Sequence, residues 1–346
     1  MIVHQLLSGA GPFDAITSEA LMFRAAFKRW GWGGGEYAAR IAPGLGGAVN
    51  ALERLPTKRG DVLLLHHSAH FPYLDELLGL PGRKLLLYHN ITPPDWLWAV
   101  APVVALHCDI GRAQLPRVIA GVDAVAADSA FNAAELGVPA AHVVPLLVAS
   151  DRLGPARSAP AGPAEAPHLL FVGRLSPHKR QDALIRILAR LRAHRYPGAR
   201  LTLVGDPLTV EYMETLRQLA DDLAPGAVQI ETNLSNVELG ERYRAADVFV
   251  CQSAHEGFCV PVLEAFRMRV PVVALATGAV PELAGTAALL TEAEDDEAVV
   301  AEAVAAVIAD SELRDELIRR GLDRARAFAP LRVEEQLRTA VDAALV

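Results

Sequence analysis

The stretch "DVFVCQSAHEGFCVPVLEAFRM", Asp247 to Met268, reads as a strand, a turn and a helix within twenty-two residues. "DVFVCQS" is apolar without alternation, the pattern of a parallel strand covered on both faces. "PVLEAFRM" opens on Pro261, and proline suits a first helical turn because its missing N–H would have no partner there. "AHEGFCV" is then the loop at the strand's carboxyl end, where open parallel sheets bind ligands.

The same unit repeats along the chain. Strand candidates are residues 2–7, 61–67, 84–89, 123–129, 142–148, 168–173, 200–205, 228–232, 247–253 and 271–276. Helical periods lie between many of them, as in "RQDALIRILARLRAH" (180–194) and "VEYMETLRQLADDLA" (210–224). Alternating strand and helix implies an α/β fold with right-handed crossovers. At about 150 residues per domain, 346 residues make two doubly wound domains. Residues 150–167, rich in Pro, Ala and Gly, read as the linker between a domain at 1–149 and one at 168–330. The last segment, 331–346, follows Pro330 and reads as a separate terminal helix that returns to the N-terminal domain.

Composition narrows the function. Hydrophobic residues make up 52% and charged residues 21%, which excludes a disordered chain. A net charge of -8 leaves no basic footprint for nucleic acid. Three cysteines without a CxxC pair point to a reducing cytoplasm. The N-terminus lacks the basic and apolar regions of a signal peptide. The run "WLWAVAPVVAL" (96–106) is too short to span a bilayer, and Trp96 and Trp98 read as core or as an acceptor pocket. Residues 20–30, "ALMFRAAFKRW", are amphipathic with Arg24, Lys28 and Arg29. They leave a peripheral contact with the inner membrane face open, beside the plainer reading of core packing.

Within the opening stretch, the helix start offers unpaired N–H groups and about half a positive charge, which attract phosphate. Gly257 keeps the backbone uncovered. Glu256 lies in the turn and Glu264 about one helical turn in. A carboxylate accepts from two neighbouring hydroxyls, so two carboxylates flanking a phosphate-binding turn suit a nucleoside diphosphate sugar: diol, diphosphate, diol. For Glu264 the alternative is simple stabilisation by the helix dipole, worth about 0.3–1 kcal/mol. In "HLLFVGRLSPHKRQDALI" (168–185), Arg174 and Lys179 lie between strand and helix, where two cations can converge on a diphosphate without a metal.

Together, "FVGRLSPHKRQDALI", "LSNVELGERYRAADVFVCQSAHEGFCVPVLEAFRMRVPVVAL" and "GAVPELAG" resemble the donor half of the retaining GT-B glycosyltransferases of the group 1, or family-four, class. Glu256 and Glu264 match its E-x7-E signature. Residues 168–290 carry most of the likeness, and "DVLLLHHS", "LLYHNITP" and "ADSAFNAAELG" extend it to the first half. The resemblance implies two Rossmann-like domains whose parallel sheets face a cleft. It implies transfer of a hexose from a GDP- or UDP-sugar to a glycan, lipid-linked or small-molecule hydroxyl, with retention and with no cofactor or metal. It assigns Arg174 and Lys179 to the diphosphate, Glu264 to the ribose and Glu256 to the transferred sugar. Backbone groups of Gly257, Phe258, Cys259 and Val260 lie nearby, and Asn233 and Leu234 of "ETNLS" face the base. Cys259 stands where many relatives carry glycine, and keeps a backbone role there if its φ is negative.

From the N-terminal half, the resemblance places His89, after "KLLLY", beside the transferred sugar, brought onto it by domain closure. Gly9 and Gly11 let the chain pass close to an acceptor. Asp14 either orients an acceptor hydroxyl or caps the next helix. For His66, His67 and His70 metal ligation is conceivable, but no carboxylate or cysteine follows at ligand spacing, and loop histidines near a cleft are the plainer reading. A thiol nucleophile at Cys259 beside His255 lacks a third orienting group. Two other readings use the same residues: a non-catalytic nucleotide-sugar-binding subunit and a nucleotide-sugar 2-epimerase.

Overall fold

The computed structural model describes residues 1–12, 14–45, 47–138, 141–149, 151–158, 165–293 and 295–346. They divide into two compact units. The first comprises Met1–Asp95, Val103–Ala149 and Phe328–Val346, and the second Trp96–Pro102 and Ser150–Ala327. Each is built on a wholly parallel sheet, as the unbroken apolar runs require.

In the first unit, β1 (Val3–Leu7), β2 (Glu36–Ala38), β3 (Asn50–Ala51), β4 (Val62–His67), β5 (Arg83–Tyr88), β6 (Ala124–Ala127) and β7 (His142–Val143) take the order β3-β2-β1-β4-β5-β6-β7. The helices are α1 (Ala15–Arg29), α2 (Leu74–Gly79), α3 (Pro102–Ala120) and α4 (Ala130–Glu135). The expected strand at 142–148 stops after two residues, because Pro145 has no N–H to donate to a ladder. The short strands β2 and β3 gave no periodic signal.

The second unit holds β8 (His168–Val172), β9 (Arg200–Val204), β10 (Val228–Glu231), β11 (Val248–Cys251), β12 (Val272–Leu275) and β13 (Leu289–Thr291), ordered β10-β9-β8-β11-β12-β13. Its helices are α5 (Gln181–His194), α6 (Val210–Leu223), α7 (Asn236–Ala245), α8 (Val260–Arg267), α9 (Val280–Ala284), α10 (Glu297–Ala309) and α11 (Ser311–Ala327). β8 and β11 are neighbours although three helices and two strands separate them in the chain. The winding reverses there, and the two loops that leave these strands diverge to either side of a ready crevice.

The last helix, α12 (Pro330–Ala343), belongs to the first unit. Val333, Leu337, Ala340 and Val341 are buried with Val3, Phe23, Phe27, Leu64 and Leu87 in one core. Helix α1 turns Phe23 and Phe27 into that core, and its Arg24 is buried too, donating to Glu36 at 2.5 Å. Only Lys28 and Arg29 of its basic residues face outward, and Arg29 pairs with Glu334. The amphipathic pattern of α1 is therefore spent on the core. Among the described residues no helix is long and apolar enough to cross a membrane.

Candidate active site

The second unit concentrates ionic groups at its switch point. The loop after β8 runs through a single turn at Pro177–Lys179 into α5, and the loop after β11 runs into α8. The Ala254 amide donates to the His178 carbonyl at 2.7 Å and ties the two loops together. Lys179 Nζ lies 2.7 Å from Glu256 Oε1, with the carboxylate side chain only 8% exposed. Burial pulls the Lys179 ammonium down, but Glu256 and the neighbouring Cys259 and Cys251 together leave the pKa raised. Arg174 stands exposed on the same loop. The sequence expectation thus meets a pair: the cation meant for a diphosphate and the carboxylate meant for a sugar already hold each other.

Gln181, not singled out from the sequence, fixes this loop. It is fully buried, its amide nitrogen donates to the Arg174 carbonyl at 2.9 Å, and its oxygen accepts from the Ser176 amide at 3.3 Å. Two glycines allow the close approaches. A Cβ on Gly205 would lie 2.0 Å from the Gly173 carbonyl oxygen, and one on Gly278 would lie 2.1 Å from that of Glu256. Gly278 has φ +54°, which favours glycine in any case.

Glu264 lies on the first turns of α8, as expected, but faces inward at 2% exposure. Its Oε1 accepts from Arg152 Nε at 2.9 Å and again from the end of the same guanidinium. Its Oε2 accepts from the Tyr243 hydroxyl at 3.0 Å. Burial first, then Glu264, pushes the Tyr243 phenol well up, so it stays a donor. Four residues after Tyr243, in "YRAAD", Asp247 accepts from the His168 amide at 2.8 Å. Arg152 lies in the segment read as linker. Residues 150 and 159–164 of that segment lie outside the described residues, but 151–158 are part of this unit: Arg244 donates to the Leu153 and Pro155 carbonyls at 3.1 Å.

Cys259 corrects an expectation. Its φ is +73°, the left-handed region that a glycine fills without cost, so the backbone at this turn keeps the glycine-like geometry despite the side chain. Its thiol is buried beside Cys251 and, through that contact and burial, held far up, which leaves no thiolate for nucleophilic attack. Gly257 lies partly exposed between them and Phe258 is buried, while Val260 is the first residue of α8. Asn233 is exposed with φ +56°, Leu234 is half-buried, and the Asn233 amide donates to Asp206 Oδ1 at 3.2 Å.

In the first unit the expected residues part company. Asp14 is the cap of α1, accepting from the Thr17 amide at 2.7 Å and its hydroxyl at 2.8 Å. A Cβ on Gly9 or Gly11 would make only ordinary contacts, none nearer than 3.8 Å, so neither position demands a glycine. His66 and His67 point to opposite faces of β4, as successive strand residues must. His67 Nε2 donates to the Gly111 carbonyl at 3.0 Å, and burial lowers its pKa to about 4. His70 lies partly exposed near His107. The His89 imidazole, expected to meet a sugar, is sealed from solvent. Its Nε2 lies 2.9 Å from His66 Nδ1, and its Nδ1 lies 3.6 Å from Asp128 Oδ2. Burial pulls His89 down, but Asp128 and Glu19 raise it further than burial lowers it.

This architecture is that of the GT-B fold. Sucrose-phosphate synthase from Thermosynechococcus elongatus superposes with a TM-score of 0.72 at 17% identity, covering 98% of this chain and 97% of that one. Residues 156–324 match the family described as glycosyl transferases group 1. The chain is 36% identical over 249 residues to a D-inositol 3-phosphate glycosyltransferase of Geodermatophilus obscurus, covering 66% of this chain and 54% of that protein. It is 32% identical over 234 residues to a GDP-mannose-dependent alpha-(1-6)-phosphatidylinositol monomannoside mannosyltransferase of Mycolicibacterium smegmatis, covering 62% of this chain and 58% of that one. The chain thus spans little more than half the length of these two relatives.

Proposed function

We propose that the protein is a glycosyltransferase that takes a hexose from a nucleoside diphosphate sugar and passes it, with retention, to an acceptor hydroxyl. The observation that carries this reading is the convergence of Arg174, Lys179, Glu256 and the amino end of α8 at the switch point of the second sheet. The two relatives named above, one of them named for GDP-mannose, favour a GDP- or UDP-linked donor.

The leaving nucleoside diphosphate gains negative charge as the glycosidic bond breaks. Lys179, held by Glu256, and the positive end of α8 are in place before that charge appears, with Arg174 exposed on the same loop, which is how electrostatic catalysis lowers a barrier. Glu256 holds Lys179 at the loop's inner edge and is placed to accept from the sugar when the ammonium turns to phosphate. Glu264 reaches a ribose diol once Arg152 releases Oε1. Attack on the face of the departing phosphate, with a phosphate oxygen taking the acceptor proton, needs no covalent nucleophile from the chain. This chemistry draws on no metal in the second unit.

The test is a thermal-shift and transfer screen with GDP- and UDP-hexoses. A donor at 100 times its Kd raises stability by about 2.7 kcal/mol. Arg174→Ala is expected to lower kcat by about two orders of magnitude with the fold intact. Donor binding without transfer to any of a broad acceptor panel selects a binding subunit instead, and acceptor-free conversion to the 2-epimer selects an epimerase.

A further inference from the structure

Glu264, the carboxylate assigned to the ribose, already has an occupant, and it comes from outside its own helix. Arg152 Nε donates to Glu264 Oε1 at 2.9 Å, and the end of the same guanidinium donates to that oxygen again. The Tyr243 hydroxyl donates to Oε2 at 3.0 Å. The carboxylate side chain is 2% exposed, Tyr243 is fully buried, and the Arg152 side chain is 31% exposed. Of the two partners, Arg152 therefore covers the side of the carboxylate that faces solvent, which is the side a nucleotide must enter.

Arg152 is held so that its side chain can leave while its backbone stays. The carbonyl of Leu153, the next residue, accepts from Arg244 Nη1 at 3.1 Å and packs on α7 so closely that a Cβ on Gly240 would lie 2.1 Å from its oxygen. Arg152 Nη1 donates to Oδ1 of the exposed Asn236, at the start of α7, at 2.8 Å. The charged end thus rests between a buried carboxylate and a surface amide. Hydrogen bonds between ionised groups are about twice as strong as neutral ones, so the contact with Glu264 is firm. It also leaves little room. A carboxylate has about four lone-pair sites, and the two bonds from Arg152 and the one from Tyr243 fill all but one, too few for a diol. Ribose and Arg152 therefore compete for Oε1.

We propose that Arg152 is a latch on the ribose site: it holds Glu264 in the free protein, and a nucleotide gains its ribose contact only by displacing the guanidinium. The inference rests on the donor reading of the second unit and adds to it the group that sets affinity and specificity. Apparent affinity is reduced by the fraction of molecules in which the competent state is populated, and the latch keeps that fraction low. The closed state keeps the buried charge paired when no nucleotide is present, which an empty ribose site would not. Specificity follows from the exchange. A ribose with both hydroxyls replaces two donors with two, whereas a sugar lacking them offers the carboxylate nothing and leaves the latch shut.

The test is calorimetric titration of the full-length chain, wild type and Arg152→Met, with GDP, with UDP and with the counterparts of each that lack both ribose hydroxyls. The quantity read is the ratio of the two affinities, because both forms carry the same phosphates and feel the loss of the Arg152 charge alike. We expect the preference for the hydroxylated nucleotide to rise about 10-fold or more in Arg152→Met, since no charged hydrogen bonds have to be broken to admit the ribose. The thermal midpoint of the variant without ligand falls, and its rise on adding nucleotide exceeds that of wild type. Arg152→Lys keeps the charge and loses the fork, so it shifts the ratio the same way by less, and it carries the test if the methionine variant does not fold. A ratio that is unchanged or lower in these variants overturns the latch and leaves the donor site standing, because Arg152 would then be a brace that positions Glu264. Failure of GDP and UDP to bind either protein overturns the donor reading and the latch with it.

Discussion

Both sheets gather buried charge at their carboxyl ends, but they balance it with different groups. In the second unit each buried carboxylate has a permanent cation: Lys179 on Glu256 and Arg152 on Glu264. In the first unit Glu19 lies against His66 and His89, and Asp128 lies against His89 and accepts from Asn132. Burying a charge is costly unless it is paired, and in the first unit the pairing falls to His89, whose pKa is raised. The same topology thus builds one network on permanent cations and another on histidines.

Removing one of the permanent cations tests this difference. Lys179→Ala leaves Glu256 buried and alone, and is expected to cost about 3–5 kcal/mol in urea unfolding and at least about 100-fold in transfer. Glu256→Gln added to Lys179→Ala should recover most of the stability and none of the transfer. A stable, active Lys179→Ala protein would remove the contrast between the units.

The cores differ in origin as well. The first unit is closed by α12 from the far end of the chain, through Leu337 at 1% exposure. Leu337→Ala should lower the stability of the first unit by about 2–5 kcal/mol, read by denaturant unfolding. An effect below 1 kcal/mol would mean that α12 is a passenger on that core, not part of it.

The histidines sharpen the comparison through pH. His178 in the second unit is held neutral: burial first, then Lys179, lower its pKa from 6.5 to about 3. A depressed histidine contributes stability that is present above pH 6.5 and is lost as the pH falls towards 3. Acidification across that window should therefore weaken the second unit by on the order of 5 kcal/mol at most. His178→Gln should flatten the curve, and an unchanged acid response in that variant would contradict the assignment. In the first unit His67, lowered to about 4, adds a penalty of the same sign, whereas His89, whose pKa is raised, adds none.

The smallest effect concerns the turn before α8. Because Cys259 sits at φ +73°, Cys259→Gly should be more stable than Cys259→Ala by about 1 kcal/mol, measured as a difference between two variants that both lack the thiol. Equal stabilities would show that the turn relaxes to negative φ when the sulfur is gone.

Much of this was legible in residues alone. Unbroken apolar strands, helical periods between them and Pro261 at a helix start determine two parallel α/β units, because burial on both faces leaves no other pattern. The spacing of Arg174, Lys179 and Glu256 places them on loops that follow their strands directly, and Glu264 on the helix beyond; that the two strands are neighbours came from the sheet order. What the sequence did not decide is partnership. That Lys179 holds Glu256, that Arg152 leaves an apparent linker to clamp Glu264, and that Glu19 comes from another helix to complete a pair of histidines are all contacts between residues distant along the chain. Only folding sets those distances, and with them which group each buried charge meets.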